Sequence, residues 1–164
     1  MQTPGPLIRI GMAESGASKA PATLITSGLG SCIGVALHDP QAKVGGMCHV
    51  MLPDSLQARA SENRAKFADT AIPDILVQLE RLGARRERLV VKVAGGAQMF
   101  SFGKGDDRFA IGRRNVEAVR TALRQAGLRI AAEDTGGNHG RTMVLDVGTG
   151  RVTIRTIESG ETEL

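Results

Sequence analysis

Short apolar runs separated by glycine and small polar residues dominate the chain. Compact or alternating apolar runs predict strands over 7–12, 22–26, 32–37, 43–52, 89–93, 128–132, 142–147 and 152–157. Gly16 to Pro21 reads as a small-residue loop and Ser27 to Ser31 as a glycine-rich bend. His38-Asp39-Pro40-Gln41-Ala42 is turn chemistry, with Pro40 barred from a central ladder. Gly148-Thr149-Gly150 joins the last two strands as a hairpin.

Helical spacing takes over twice. Between 61 and 82, Ala65, Ala68, Ile72, Ile75, Leu76, Leu79 and Leu82 recur on one face, and Pro73 is expected to kink or interrupt the helix. Between 113 and 126, Val116, Val119, Leu123 and Ala126 oppose Arg114, Glu117, Arg120 and Arg124, and Gly127 stands at the C-cap position. Asn115 reads as a residue that caps or opens this helix, or touches a partner. Strands come in runs rather than alternating with helices, which predicts an α+β layered fold and not a doubly wound parallel sheet. The chain reads as a single domain, 1–164, with loose tails at 1–6 and from about 158 onward.

Composition narrows the function classes. The 164 residues include no Trp, no Tyr and four Phe, so base stacking on aromatic platforms is excluded as a main activity. The formal net charge of +4 is modest, and the basic group Arg81, Arg85, Arg86 and Arg88 reads as a solvated helix end. No apolar stretch reaches the ~18 residues of a membrane span, and no secretory signal opens the chain. Two cysteines do not make a disulfide scaffold, and a reducing cytoplasm is the expected compartment.

The chemistry concentrates between Thr26 and Pro53. A hairpin centred between Pro40 and Gln41 sets Cys32 opposite His49, on one face. The same register pairs Ile33 with Cys48, Val35 with Gly46 and Leu37 with Val44, giving an apolar opposite face. His49 could then take the Cys32 proton, with the imidazolium stabilising the thiolate. Backbone N–H groups around Gly30-Ser31-Cys32 could converge on an oxyanion. Other readings stand beside this one: a cysteine that only packs, or zinc held by Cys32, Cys48, His49 and His38. Against zinc, Cys48 and His49 are consecutive on a strand and face opposite sides. His139 is a rival base.

The strings Thr26-x-Gly28-Leu29-Gly30-Ser31-Cys32 and His49-Val50-Met51-Leu52-Pro53-Asp54-Ser55 resemble the CheD family of chemoreceptor glutamine deamidases. Lys66 to Pro73, Gly95 to Phe100, Ile111 to Asn115 and Glu133 to Gly137 extend the resemblance in order. Cys48 departs from it, where the family often has a small non-thiol residue, as does Asn138-His139 in a late loop. The resemblance implies a layered α/β/β sandwich shared with toxin-type cysteine deamidases, and catalytic roles for Cys32, His49 and Thr26; the oxyanion place at Gly30 and Ser31 is the reading of the bend itself. It implies no metal and no organic cofactor. It also implies methyl-accepting chemoreceptors as substrate, a CheC-type phosphatase as partner, and, as the alternative, a non-enzymatic regulator that only binds that phosphatase.

Overall fold

The computed structural model describes residues 5–56, 63–99 and 110–164. Among them run ten strands and two α-helices. In chain order these are β1 (Leu7–Arg9), β2 (Ser15–Lys19), β3 (Thr23–Leu29), β4 (Ile33–Asp39), β5 (Val44–Val50), α1 (Ala68–Arg81), β6 (Val90–Gly95), α2 (Ile111–Gln125), β7 (Ile130–Thr135), β8 (Arg141–Asp146), β9 (Val152–Thr156) and β10 (Gly160–Glu163). They form a central sheet in the order β2-β5-β4-β6-β7 and an outer sheet in the order β1-β3-β8-β9-β10. Both sheets are mixed: β1 runs parallel to β3, and β6 parallel to β7, with α2 as the crossover.

Two apolar layers result, as an α/β/β sandwich requires. Val35, Cys48 and Val50 of the central sheet pack with Ile72, Ile75 and Leu79 of α1 and Val119 and Leu123 of α2. The other face presents Cys32, Ala36, Met47 and Ala94 to Leu24, Leu29, Met143 and Leu145 of the outer sheet. Strand β5 is buried throughout, and its alternation sends Cys48 toward the helices and His49 toward the outer sheet.

Several expectations change. The small-residue loop at 16–21 is largely strand β2, which pairs with β5 at the sheet edge, where little apolar surface is required. Helix α1 runs through Pro73 without interruption; the ring stands early in the helix and forfeits one backbone bond. A 3-10 turn, Arg64–Lys66, precedes it, and the start expected at Ser61 lies outside the described residues. The tail expected from about 158 includes β10, paired with β9 and fixed by the Arg155–Glu161 bridge. The tail expected at 1–6 is described only at its end, where the Pro6 carbonyl accepts from Thr23.

The β4–β5 register also differs. His49 lies opposite Gly34, and Ile33 opposite Val50, a shift of two residues from the tight turn expected. The cause is a four-residue loop, 40–43. The Asp39 carboxylate accepts from the Gln41 and Ala42 amides, and Lys43 closes the loop at φ 53°. Asp39 also accepts from the Arg85 amide and the Arg88 side chain. The expected basic cluster is therefore partly spent on local pairs, with Arg86 on Glu80 and Arg88 on Asp39.

Burial pushes the Asp39 carboxyl up, but Arg88 and the three amides outweigh it and hold the pKa at about 2. Its contribution to stability is complete above the ordinary value of 3.8 and is lost as pH falls toward about 2. Asp39→Ala is expected to cost about 2–4 kcal/mol at pH 7 in urea unfolding. The difference from wild type should shrink between pH 4 and 2, and a pH-independent difference would contradict this assignment.

Candidate active site

Strand β3 carries Thr26 toward the space between the sheets. Thr26 pairs with Met143 but Leu29 with Arg141, so one extra residue bulges from β3 between them. The bulge keeps both Thr26 and Leu29 facing inward and contains Gly28 at φ 72°. The chain then leaves the outer sheet at Gly30, bends, and enters the central sheet at Ile33. Cys32 ends that bend, 9% exposed, at the boundary between the two sheets.

Thr26 and His49 meet directly. Thr26 is 1% exposed and His49 fully buried. The Thr26 hydroxyl lies 2.6 Å from the Ile10 carbonyl oxygen and 2.7 Å from His49 Nδ1. A carbonyl can only accept, so the single hydroxyl proton goes to Ile10. The hydroxyl oxygen must then accept from Nδ1–H. This assigns the tautomer: Nδ1 carries the proton and Nε2 an open lone pair. Nε2 is buried and has no hydrogen-bond partner among the described residues. The backbone holds the ring's strand on its other edge, where the His49 amide donates to Glu14 O at 3.0 Å and its carbonyl accepts from Ala13 N at 3.1 Å.

Cys32 does not lie directly opposite His49, as the tight-turn register required. It precedes Gly34, the residue that does, by two positions, and so occupies the diagonal place on the same face. The expected face is kept because a shift of two residues preserves parity. No hydrogen bond joins the Cys32 thiol to Nε2. The structure thus unites Thr26 with His49 and sets Cys32 beside them without a bond.

Burial pushes the Cys32 thiol up, opposed by a hydrogen bond from its own amide. Burial pushes the His49 imidazole down, with nearby Glu14 opposing. Both groups therefore rest neutral at pH 7, rather than as the thiolate–imidazolium pair expected from sequence.

The bend is anchored by its carbonyls. Gly30 O accepts from Ala97 N at 2.8 Å, Ser31 O from Asn115 Nδ2 at 2.9 Å, and Cys32 O from Gly96 N at 3.0 Å. Gly95 must be glycine here: at φ 115°, a Cβ would lie 2.1 Å from the Cys32 carbonyl oxygen. The Gly30 amide, expected as an oxyanion donor, donates instead to Gly28 O at 3.0 Å. The Ser31 amide meets no backbone carbonyl among the described residues, and the Cys32 amide meets its own thiol.

Cys48 lies in the helix-side layer, and burial followed by Asp74 pushes its thiol to about 12. Cys32 lies in the inter-sheet layer, so the two sulfurs cannot bridge or share one ion. His38 is buried and donates from Nε2 to Val147 O at 2.7 Å. His139 lines a shallow groove of about 530 Å³ with Gly28, Arg141 and Arg155. Asn115, expected to cap or open the helix or to touch a partner, stands inside α2 and does not cap it. It is fully buried and reaches two carbonyls in other elements. The signal was available: Asn115 falls four residues before Val119, on the apolar stripe of α2.

Iodoacetamide at pH 7 is expected to label Cys32 slowly and Cys48 only after unfolding. The Cys32 rate should rise with pH through a midpoint above the ordinary thiol value. Equal labelling of both cysteines in the folded protein would contradict these placements.

Comparison with known proteins places the chain among described relatives. A family model for CheD chemotactic sensory transduction matches residues 51–156. A chemoreceptor glutamine deamidase CheD of Halalkalibacterium halodurans is 50% identical over 159 residues, covering 96% of this chain and 98% of the relative. A probable chemoreceptor glutamine deamidase CheD of Moorella thermoacetica is 52% identical over 153 residues, covering 92% and 90%. Among solved structures, the hypothetical protein YfiH of Bacillus licheniformis superposes with a TM-score of 0.48 at 15% identity, over 76% of this chain and 51% of that one.

Proposed function

The chain belongs to the CheD family, and from that membership we propose that it deamidates glutamine side chains of chemoreceptors, with Cys32 as nucleophile and His49 as acid and base. The observation that carries this reading is the chain from the Ile10 carbonyl through the Thr26 hydroxyl to His49 Nδ1. It leaves Nε2 with a bare, buried lone pair, on the strand face that borders the layer holding Cys32.

The reaction then runs in two halves. Sγ of Cys32 bonds to the carboxamide carbon as its proton passes to His49 Nε2. The oxyanion meets the amide of Ser31. His49 returns the proton to the leaving nitrogen, the C–N bond breaks, and ammonia departs. Water gives a proton to Nε2 and its oxygen to the thioester carbon. The S–C bond breaks, and His49 reprotonates the thiol. The net change is amide plus water to carboxylic acid plus ammonia, and the acid ionises at neutral pH. Each turnover leaves one new negative charge on the receptor.

Thr26 acts through His49. It holds the imidazole in the tautomer that can accept and offers an oxygen to the imidazolium N–H. Exposed Met12 adjoins Ala13, which binds the His49 carbonyl, and exposed Met99 packs over Gly30, so the two would rim an approach to the pair. Such a rim suits the apolar face of a helix, whether a receptor's cytoplasmic helix or a CheC-type phosphatase competing for the same place. This reading puts the protein in the cytoplasm. No described helix is long and apolar enough to cross a membrane.

The test is mass spectrometry of a chemoreceptor fragment incubated with the protein. Conversion of glutamine to glutamate is expected with wild type and absent with Cys32→Ala. Thr26→Val, which keeps shape without the hydroxyl, is expected to lower kcat by about 100-fold or more. Because Nε2 must be neutral to accept, kcat/KM should hold on acidification until below the ordinary imidazole pKa of about 6.5. Undiminished conversion by Cys32→Ala would reject the nucleophile, and a binding-only regulator would show no conversion with any variant.

A further inference from the structure

Three carbonyls hold the bend that carries Cys32, and two of them are held by backbone amides. The third, Ser31 O, is held by a side chain, that of Asn115 on α2. The same Nδ2 also donates to Met51 O at 2.9 Å. One amide group therefore ties the residue before the nucleophile to the segment two residues beyond the base. We propose that Asn115 is a positioning residue that fixes the separation of Cys32 and His49 by bridging Ser31 and Met51, an inference that rests on the catalytic roles proposed above.

The geometry explains why this position holds an amide. Both bonds are donor bonds, and both partners are carbonyl oxygens, so the nitrogen end is assigned by its surroundings. The oxygen end, Oδ1, is buried and meets no donor among the described residues. A carboxylate would aim oxygen at two carbonyls, and an apolar side chain would orphan both. Asn115 is fully buried among Val116, Val119 and Leu123, where an amide is costly unless its donors are needed.

The helix is also placed to act as a rigid arm. Gly112 lies so close to the Gly96 and Ala97 carbonyls that a Cβ would fall within 2.5 Å of each oxygen. The start of α2 thus sits on the same Gly96-Ala97 segment that binds Cys32 O and Gly30 O. Backbone contacts bring α2 to the bend, and Asn115 spans from there to the end of β5. The diagonal placement of Cys32 and His49 makes this span important. No direct bond holds the pair, so their distance is set by what anchors the two strands.

The experiment compares Asn115→Ala with Val119→Ala in the full chain. Val119 is equally buried on the same helix but lies only in the helix-side core. Thermal unfolding measures the stability loss of each. Ammonia release from a chemoreceptor fragment gives kcat and KM, and iodoacetamide labelling against pH gives the Cys32 midpoint. Asn115→Ala is expected to lower kcat about 10- to 100-fold, as small misplacements of reacting groups do, with KM little changed. Its Cys32 midpoint should fall toward the ordinary thiol value as the bend loosens. Val119→Ala should lower Tm while leaving kcat and the midpoint at wild-type values.

Matching kcat and midpoint in the two variants would overturn the inference. If Asn115→Ala does not fold, Asn115→Ser replaces it: one shorter donor should give the same two changes in smaller degree, and wild-type values would again overturn the inference. Full ammonia release by Cys32→Ala would instead defeat the nucleophile assignment, leaving the two failures distinguishable.

Discussion

A hydroxyl group has one proton to give. In this protein the Thr26 hydroxyl stands between a carbonyl, which can only accept, and an imidazole nitrogen, which can do either. The carbonyl of Ile10 takes the proton, and the imidazole must then donate. From that constraint follow the tautomer of His49, the open lone pair at Nε2 and the direction in which a proton can flow. Ile10 itself is fixed, since its amide donates to Ile25 O of β3, next to Thr26. The chain of groups is thus anchored at both ends by backbone.

The fold serves this arrangement by placing three short stretches at one boundary. The outer sheet supplies Thr26, the central sheet supplies His49, and the bend between β3 and β4 supplies Cys32. Layering explains the neutral resting state. The space between two packed sheets penalises a thiolate and an imidazolium alike, so both groups rest uncharged. The same burial separates the two cysteines: Cys48, one residue before His49, belongs wholly to the helix-side core.

Much of this was legible in the residues, for reasons that differ from place to place. Period-two alternation separates Cys48 from His49 whatever the exact pairing, so the face of each was readable. The partner of each was not, because the loop is lengthened by the side chain of Asp39, which binds the amides of Gln41 and Ala42. Strand β2 was hidden because Ser15-Gly16-Ala17-Ser18 has no apolar alternation, and its pairing to β5 comes from tertiary contact. Thr26 was readable as a role only through the family resemblance; its link to Ile10 joins segments sixteen residues apart. Asn115 was visible as a polar residue on an apolar stripe, but its two acceptors lie 84 and 64 residues away, beyond any local pattern.

The tautomer of His49 is the point from which the chemistry proceeds, and it can be observed without substrate. Nitrogen-15 NMR of the imidazole at neutral pH reports it directly. The account predicts a pyrrole-type signal at Nδ1, coupled to a proton, and a pyridine-type signal at Nε2, with Thr26→Val relaxing that preference. A proton resident on Nε2 in the wild-type protein would contradict it.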